Sequence, residues 1–176
     1  MSRPSSRRSR AILAGVVAAL ACAVAAPSAG AQTTVPLNLD FGSHLGKKKQ
    51  EQQCGLVPCG TTALPGFGDA FWTLIPIADP APTRGCEPAQ AFVRFELLGS
   101  GDQLFVDVDG QVCYPGNSNR APGALKSFGN PLRATGTFTI SGGTGVFDGA
   151  SGSGTAALSS AGARVRITAT GTLTLP

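Results

Sequence analysis

The last third of the chain constrains the fold most, because a glycine-rich stretch separates two long runs of alternating side chains. Residues 134–140 alternate small or apolar side chains with threonines, and residues 165–175 alternate small or aliphatic side chains with an arginine and threonines. Successive side chains of a strand point to opposite faces, so each run predicts a strand with one buried and one solvated face. Two such strands indicate an antiparallel, closed or sandwiched β-core.

The N-terminus has the three parts of a secretory signal peptide. A basic head, Met1–Arg10, precedes an apolar run, Ala11–Ala26, and a small-residue cleavage site ends at Ala31. The run is shorter than a bilayer-spanning helix, so we expect no stable membrane span. We predict a secreted or periplasmic, cell-envelope protein that is cleaved near Ala31. Cys22 lies in a sequence that resembles a lipoprotein cleavage site, which leaves lipidation as an alternative.

The predicted signal peptide also explains the charge of the chain. The chain carries 14 Lys and Arg against 10 Asp and Glu, a formal net charge of +4. The four arginines within residues 1–31 account for the whole excess. The remaining chain therefore lacks the net positive charge typical of nucleic-acid-binding domains, and we expect no nucleic-acid partner.

Composition and periodicity divide the chain into three predicted segments. Residues 1–31 form the signal peptide, residues 32–53 form a polar, flexible N-terminal arm, and residues 54–176 form one domain. That domain shows seven or eight alternating segments and no amphipathic helix. Small residues on the predicted buried faces suit a tightly curved wall, so we predict an antiparallel eight-stranded β-barrel, with a β-sandwich as the alternative.

Four cysteines follow the predicted cleavage site, and an even number in an exported chain indicates disulfides. The best hairpin joins residues 91–98 to residues 104–109. Pairing Leu97 with Leu104 aligns the apolar faces and brings Cys86 within about one residue pair of Cys113, close enough for a disulfide. Cys54 and Cys59 would then form the second bridge. The same register would place Arg94 opposite Asp107.

The glycine-rich stretch resembles the corner of a known family of barrels. Residues 138–155 are similar to the Gly-Gly-Thr-Gly-x-Phe-x-x-Ala-x-Gly corner of the allene oxide cyclase and dirigent proteins, and more so to secreted bacterial relatives. The matching structural residues are Gly142, Gly143, Gly145, Phe147, Gly149 and Gly152. We also expect residues 144–150 to form one helical turn that buries Val146 and Phe147.

The resemblance implies an eight-stranded barrel whose lumen or mouth holds a small hydrophobic molecule. Allene oxide cyclases close an epoxide of a fatty acid, and dirigent proteins steer the coupling of phenoxy radicals. The pocket residues of neither family can be matched beyond the corner. The resemblance therefore transfers no catalytic residue to this chain.

The sequence offers few groups for catalysis or metal binding. The single histidine, His44, lies in the predicted arm, which argues against a Ser-His-Asp arrangement and a zinc site. Asp107 and Asp109 share one strand face near Glu96 and could act as a pair if burial separated their pKa values. A solvated outer face is the simpler interpretation. We predict no catalytic, cofactor-binding or metal-binding residues and no cofactor.

The candidate pocket residues are Trp72, Phe92, Phe105 and Asp107. Phe92 and Phe105 fall on the otherwise polar face of the hairpin, where they would mark a ligand or partner surface, or a face covered by the arm. Packing in the core is the alternative for the aromatic residues. An oligomer is compatible with the sequence, which contains nothing that decides the oligomeric state.

Three functions follow, in order of preference. The first is non-catalytic binding of a small hydrophobic molecule. The second is a structural or interaction protein outside the cell whose barrel is filled by its own side chains. The third is a carboxylate-dependent isomerase or cyclase. A lumen filled by Phe and Trp would favour the second, and an open lumen with a buried carboxylate would favour the third.

Overall fold

The computed structural model describes residues 31–43, 52–55, 57–77, 85–114, 132–161 and 164–176. The predicted signal peptide, apart from its last residue, therefore lies outside the described residues, as do Cys22, His44 and the rest of residues 44–51. The described chain forms eight strands: β1 Thr33–Ser43, β2 Cys59–Leu64, β3 Gly68–Pro76, β4 Gly85–Leu97, β5 Gln103–Tyr114, β6 Leu132–Gly143, β7 Ser151–Ala161 and β8 Arg164–Leu175.

The strands form one antiparallel sheet in the order β1-β8-β7-β6-β5-β4-β3-β2. Strands β2 to β8 follow one another as a meander, and β1 pairs along its full length with β8. The sheet curls until its edge strands meet, since a Cβ built on Gly60 of β2 would lie 3.2 Å from the Gly42 carbonyl oxygen of β1. The predicted eight-stranded antiparallel barrel is confirmed, in a nearly closed form.

Alternation along each strand places one apolar row inside the barrel, as the sequence pattern predicts. The innermost side chains include Trp72 and Phe147, both 0 % exposed, and Leu104 and Leu173, both 1 % exposed. The opposite face is mostly polar, with apolar exceptions on β3, β4 and β5. Burial of this apolar row is the main contribution to folding, because removing apolar surface from water is the dominant favourable term.

The prediction that residues 32–53 form a flexible arm is wrong for most of the residues in that range that the structure describes. Residues Thr33–Ser43 form β1, in which Leu37, Leu39 and Phe41 are buried in the barrel. The apolar residues of β1 alternate as those of β8 do. This alternation predicts a strand, but the polar composition of residues 32–53 suggests a flexible arm instead. The barrel therefore begins near Thr33, and not at residue 54.

The β4–β5 hairpin is confirmed, but its predicted register is wrong by two residues. Leu104 lies opposite Phe95, so Arg94 faces Phe105 and Asp107 faces Phe92. The turn is tighter than predicted because Gly101 adopts a φ of +79° and its N–H donates to the Leu97 carbonyl. A two-residue shift preserves which side chains face inward, which is why the alternating pattern could not distinguish the registers.

Both predicted disulfides are present. Cys86 and Cys113 lie directly opposite each other on β4 and β5 and are bonded. Cys54 and Cys59 close a loop that leads into β2. The first bridge links two neighbouring strands, and the second ties residues before the first strand of the meander to the barrel edge.

The glycine corner connects β6 to β7 through a short 3-10 helix, Gly145–Phe147. Thr144 joins this corner to β5, since its N–H donates to the Gln103 carbonyl at 2.8 Å and its Oγ1 accepts from the Gln103 N–H at 2.9 Å. Phe147 is buried as predicted and packs on Phe67. Val146 is 53 % exposed, so the prediction that it is buried is wrong.

Candidate functional site

Aromatic side chains fill much of the barrel interior. Phe41 of β1 contacts both Trp72 and Phe95 edge-on, with ring centroids 5.1 and 5.6 Å apart. Such edge-to-face pairs add to the stability gained from burial alone. Phe138 lies over the glycines of β7 and β8, because a Cβ on Gly154 or Gly171 would come within 2.7 Å of its ring. The lumen is therefore largely occupied by the protein itself.

A small cavity remains between these side chains. Its volume is about 50 Å³. The wall is made by apolar side chains from every strand except β3, including Leu39, Phe95, Val106, Phe138 and Ile167. A cavity needs about 10–15 Å³ for one water, whereas pockets for drug-sized molecules measure about 300–1,000 Å³. This apolar cavity is therefore larger than one water molecule and far smaller than a pocket for a drug-sized molecule.

Two buried polar atoms lie near the seam where β1 meets β2. Trp72 Nε1 and Ser43 Oγ are buried and have no hydrogen-bond partner among the described residues. Trp72 Nε1 lies beside Gly60, which also approaches the carbonyl of Gly42. These atoms lie outside the lining of the apolar cavity. They therefore provide no polar group at the cavity wall.

The four candidate pocket residues do not line one cavity. Trp72 points into the barrel, while Phe92, Phe105 and Asp107 point outward from β4 and β5. The sheet itself separates Trp72 from the other three. The prediction of a shared pocket is wrong, whereas the prediction that Phe92 and Phe105 lie on the polar face of the hairpin is confirmed.

Instead, the outward-facing residues form a patch on the wall of the barrel. We call Ile75, Phe92, Arg94, Phe105 and Asp107 the outer aromatic patch. Phe92 lies between Ile75 on β3 and Asp107 on β5, and the Phe92 and Phe105 rings are 5.9 Å apart. Ile75 is 43 % exposed and both phenylalanines are half-buried. A contiguous exposed apolar area of this kind is typical of an interaction surface.

The charged members of the outer aromatic patch are separated by its rings. On the outer face, Phe92 and Arg94 of β4 and Asp107 and Phe105 of β5 form a square, because Phe92 lies opposite Asp107 and Arg94 lies opposite Phe105. Arg94 and Asp107 therefore occupy opposite corners, and the contact between Phe92 and Phe105 crosses the other diagonal. The side chains of Arg94 and Asp107 form no ion pair or hydrogen bond with any other described residue. The sequence pattern predicts the outward position of the two rings, but it wrongly predicts Arg94 opposite Asp107 and does not indicate that Ile75 joins them. The correct strand register would have shown the arrangement.

The carboxylates of the hairpin lie outside the barrel. Asp107 and Asp109 are exposed on one face of β5, and Glu96 accepts a hydrogen bond from Gln103 Nε2 at 3.5 Å. Asp102 Oδ2 accepts from the Val146 N–H at 3.4 Å, which holds the turn against the glycine corner. Within the described chain, no group of three or more His, Cys, Asp or Glu side chains could hold a metal ion.

One ion pair lies on the opposite wall of the barrel. Arg166 of β8 donates two hydrogen bonds to the Asp40 carboxylate of β1, one of them from Nε at 2.9 Å. These hydrogen bonds lower the pKa of Asp40, since they favour its charged form. Both side chains are more than half exposed, so we assign this pair a minor role in linking β1 to β8.

No family model, curated protein or solved structure matches the chain. No helix within the described residues has the length and apolar character needed to cross a membrane. Function is therefore inferred from the geometry of the lumen and of the outer wall.

Proposed function

We propose that the protein is a non-catalytic interaction protein in which the barrel serves as a filled scaffold and the outer wall makes the functional contacts. The observation that carries the proposal is the lumen, where Phe41, Trp72, Phe95 and Phe138 leave a cavity of about 50 Å³. A folded core that is packed by its own side chains is a rigid support for surface residues. The outer aromatic patch supplies such a surface.

The positions of the hairpin carboxylates support this proposal over an isomerase or cyclase. Glu96, Asp102, Asp107 and Asp109 lie on the outer wall or in the turn, apart from the apolar cavity. A carboxylate that works as a general acid or base near neutral pH usually needs burial or a close charged neighbour to shift its pKa. Exposed carboxylates on a solvated wall fit charge pairing with a partner better than proton transfer.

Binding of a small apolar molecule is the second candidate function. The observation in its favour is the cavity wall, which consists of aliphatic and aromatic side chains. The resemblance to the allene oxide cyclase and dirigent barrels, which we retain as a proposal, points the same way. A cavity of about 50 Å³ accommodates a ligand of a few heavy atoms.

Native mass spectrometry of the protein purified from its producing cells tests the choice between these functions. We expect the bare mass under native conditions. A reproducible extra mass that disappears on denaturation would contradict the filled-scaffold proposal. Ala156→Leu is the matched variant, because Ala156 lines the cavity and a larger side chain there would fill it. An adduct that this variant loses would assign the ligand to the lumen.

We also propose that the protein is exported and cleaved near Ala31. The two disulfides support an oxidising compartment outside the cytoplasm. The denatured, unreduced mass of the same sample tests this, since it reports the cleavage position, any lipid on Cys22 and the loss of four hydrogens expected for two disulfides. A mass that retains residues 1–31 would contradict the proposed cleavage.

A further inference from the structure

We propose that the outer aromatic patch binds a second copy of this chain, forming a two-fold symmetric dimer. The inference rests on the proposed function, because it names the partner of the outer wall. Two charges of opposite sign lie on this face of the barrel wall. Arg94 and Asp107 each lack an ion-pair partner within the described chain, although they lie on neighbouring strands.

The rings explain why the two charges do not pair within one subunit. Phe92 and Phe105 meet across the centre of the square with their centroids 5.9 Å apart. Arg94 and Asp107 occupy the two remaining corners, on either side of that contact. Half-buried rings also lower the local dielectric, which would strengthen a charge pair formed above them.

A two-fold axis that runs above the patch, parallel to the line joining the two rings, makes the patch complementary to itself. Rotation about this axis places each ring of one copy on the same ring of the other copy. The same rotation exchanges the two charged corners, so Arg94 of each copy meets Asp107 of the other. Symmetric dimers use the same surface on both subunits, and this patch meets that requirement in both its apolar and its charged residues.

The neighbouring residues extend the apolar part of the face. Ile75 lies beside Phe92, and Ile77 continues the row with 59 % of its surface exposed. The outer face of three strands, about 4.8 Å apart and rising about 3.3 Å per residue, offers a few hundred Å² per subunit. A standard interface buries about 800 Å² per partner, so we expect a reversible dimer with a Kd of about 10 μM or weaker.

Sedimentation of the mature chain over a concentration series tests the proposal. We expect the mass to rise from one chain to two as the concentration approaches about 1 mM. Arg94→Asp and Asp107→Arg should each weaken dimerisation about 100-fold or more, because each variant sets two like-charged pairs against each other. Thr170→Asp places a new charge on the exposed face of β8 and should leave the dimer unchanged.

Mixing the two charge variants gives the decisive result. Arg94→Asp carries only acidic residues at the two corners, and Asp107→Arg carries only basic ones. An equimolar mixture should therefore form a heterodimer with an affinity close to that of the original chain. This result also shows that both variants are folded, since a misfolded variant could not restore the interface.

Three outcomes would overturn the inference. They are a chain that stays monomeric at about 1 mM, a dimer that both charge variants preserve, and a mixture that does not associate. A monomer without a bound adduct would leave the filled-scaffold proposal intact and assign the patch to a different partner. A small-molecule adduct in native mass spectra would instead contradict the proposed function, so the two failures are distinguishable.

Discussion

Strands β3–β5 and strands β6–β8 form two halves of one sheet that differ on both faces. Inside the barrel, β3–β5 contribute bulky side chains such as Trp72 and Phe95, whereas β6–β8 contribute many small ones such as Gly154 and Ala156. Outside, β3–β5 carry the outer aromatic patch, and β6–β8 carry rows of threonine and serine. The same alternation of side chains therefore serves two different purposes.

The inner faces of both halves shape the barrel, whereas the outer face of β3–β5 carries the surface that we propose contacts a partner. The glycines of β7 and β8 leave room for the Phe138 ring and let the wall curve closely around it. The bulky residues of β3–β5 occupy the lumen from the other side. Because both halves complete one packed core, only the outer faces are free to differ in function.

The largest effect should come from the bulky interior of the first half. Trp72→Ala should lower the free energy of unfolding by about 3–5 kcal/mol, because it removes a fully buried indole and leaves a cavity. Leu158→Ala, on the half-buried inner face of β7, should cost less. Urea unfolding of both variants measures the difference. An equal or larger loss for Leu158→Ala would contradict the proposed division of the core.

The disulfide of the first half should have the next largest effect. Replacing Cys86 and Cys113 by alanine opens a bridge with a sequence separation of 27 residues, against 5 for Cys54 and Cys59. Loop-closure entropy predicts a loss of about 3.5 kcal/mol for the longer loop and about 2 kcal/mol for the shorter. Denaturant unfolding of the two double variants tests this order, and the reverse order would contradict it.

The small interior of the second half should resist added volume. A Cβ on Gly154 would contact the Thr170 carbonyl oxygen and lie 2.6 Å from the Phe138 ring, so Gly154→Ala should cost about 1–3 kcal/mol. Gly99→Ala is the matched control, because nothing lies within 4 Å of its Cβ position. If thermal unfolding showed the same stability for both variants, the close packing of Phe138 on β7 would be disproved.

The smallest effect should come from the exposed ion pair of the second half. Arg166 lowers the pKa of Asp40 below 3.8, so the pair stabilises the fold above the unfolded pKa and is lost as the pH falls through the folded pKa. Asp40→Asn should therefore reduce stability slightly at neutral pH and have no effect at about pH 2. Unfolding of both proteins at the two pH values measures this, and a deficit that persists in acid would contradict it.

Sequence alternation was sufficient to predict the architecture, because β4 to β8 each bury one face. It failed for β1, where the apolar residues alternate but stand among polar residues in a segment that directly follows a predicted signal peptide. It also failed for the β4–β5 register, since a shift of two residues leaves every side chain on the same face. The turn geometry at Gly101 and the direct pairing of Cys86 with Cys113 distinguish the two registers.

The candidate site was harder to predict than the fold for the same reason. Phe92 and Phe105 could be placed on the outer face from alternation alone, whereas the separation of Arg94 from Asp107 depends on the register. The cavity volume depends on how rings from distant strands meet, as Phe41 does with Trp72 and Phe95. No local pattern encodes such contacts.

The most direct test of the central claim is a comparison of backbone amide NMR spectra of the mature chain at about 20 μM and about 1 mM. If the outer wall of β3–β5 is the functional surface, concentration-dependent shifts should cluster around Ile75, Phe92 and Phe105, while Thr155 and Thr170 stay unchanged. Shifts centred on the threonine face would contradict the claim that the chain acts through its outer aromatic patch, whereas no shifts at all would contradict the dimer and assign the patch to a different partner.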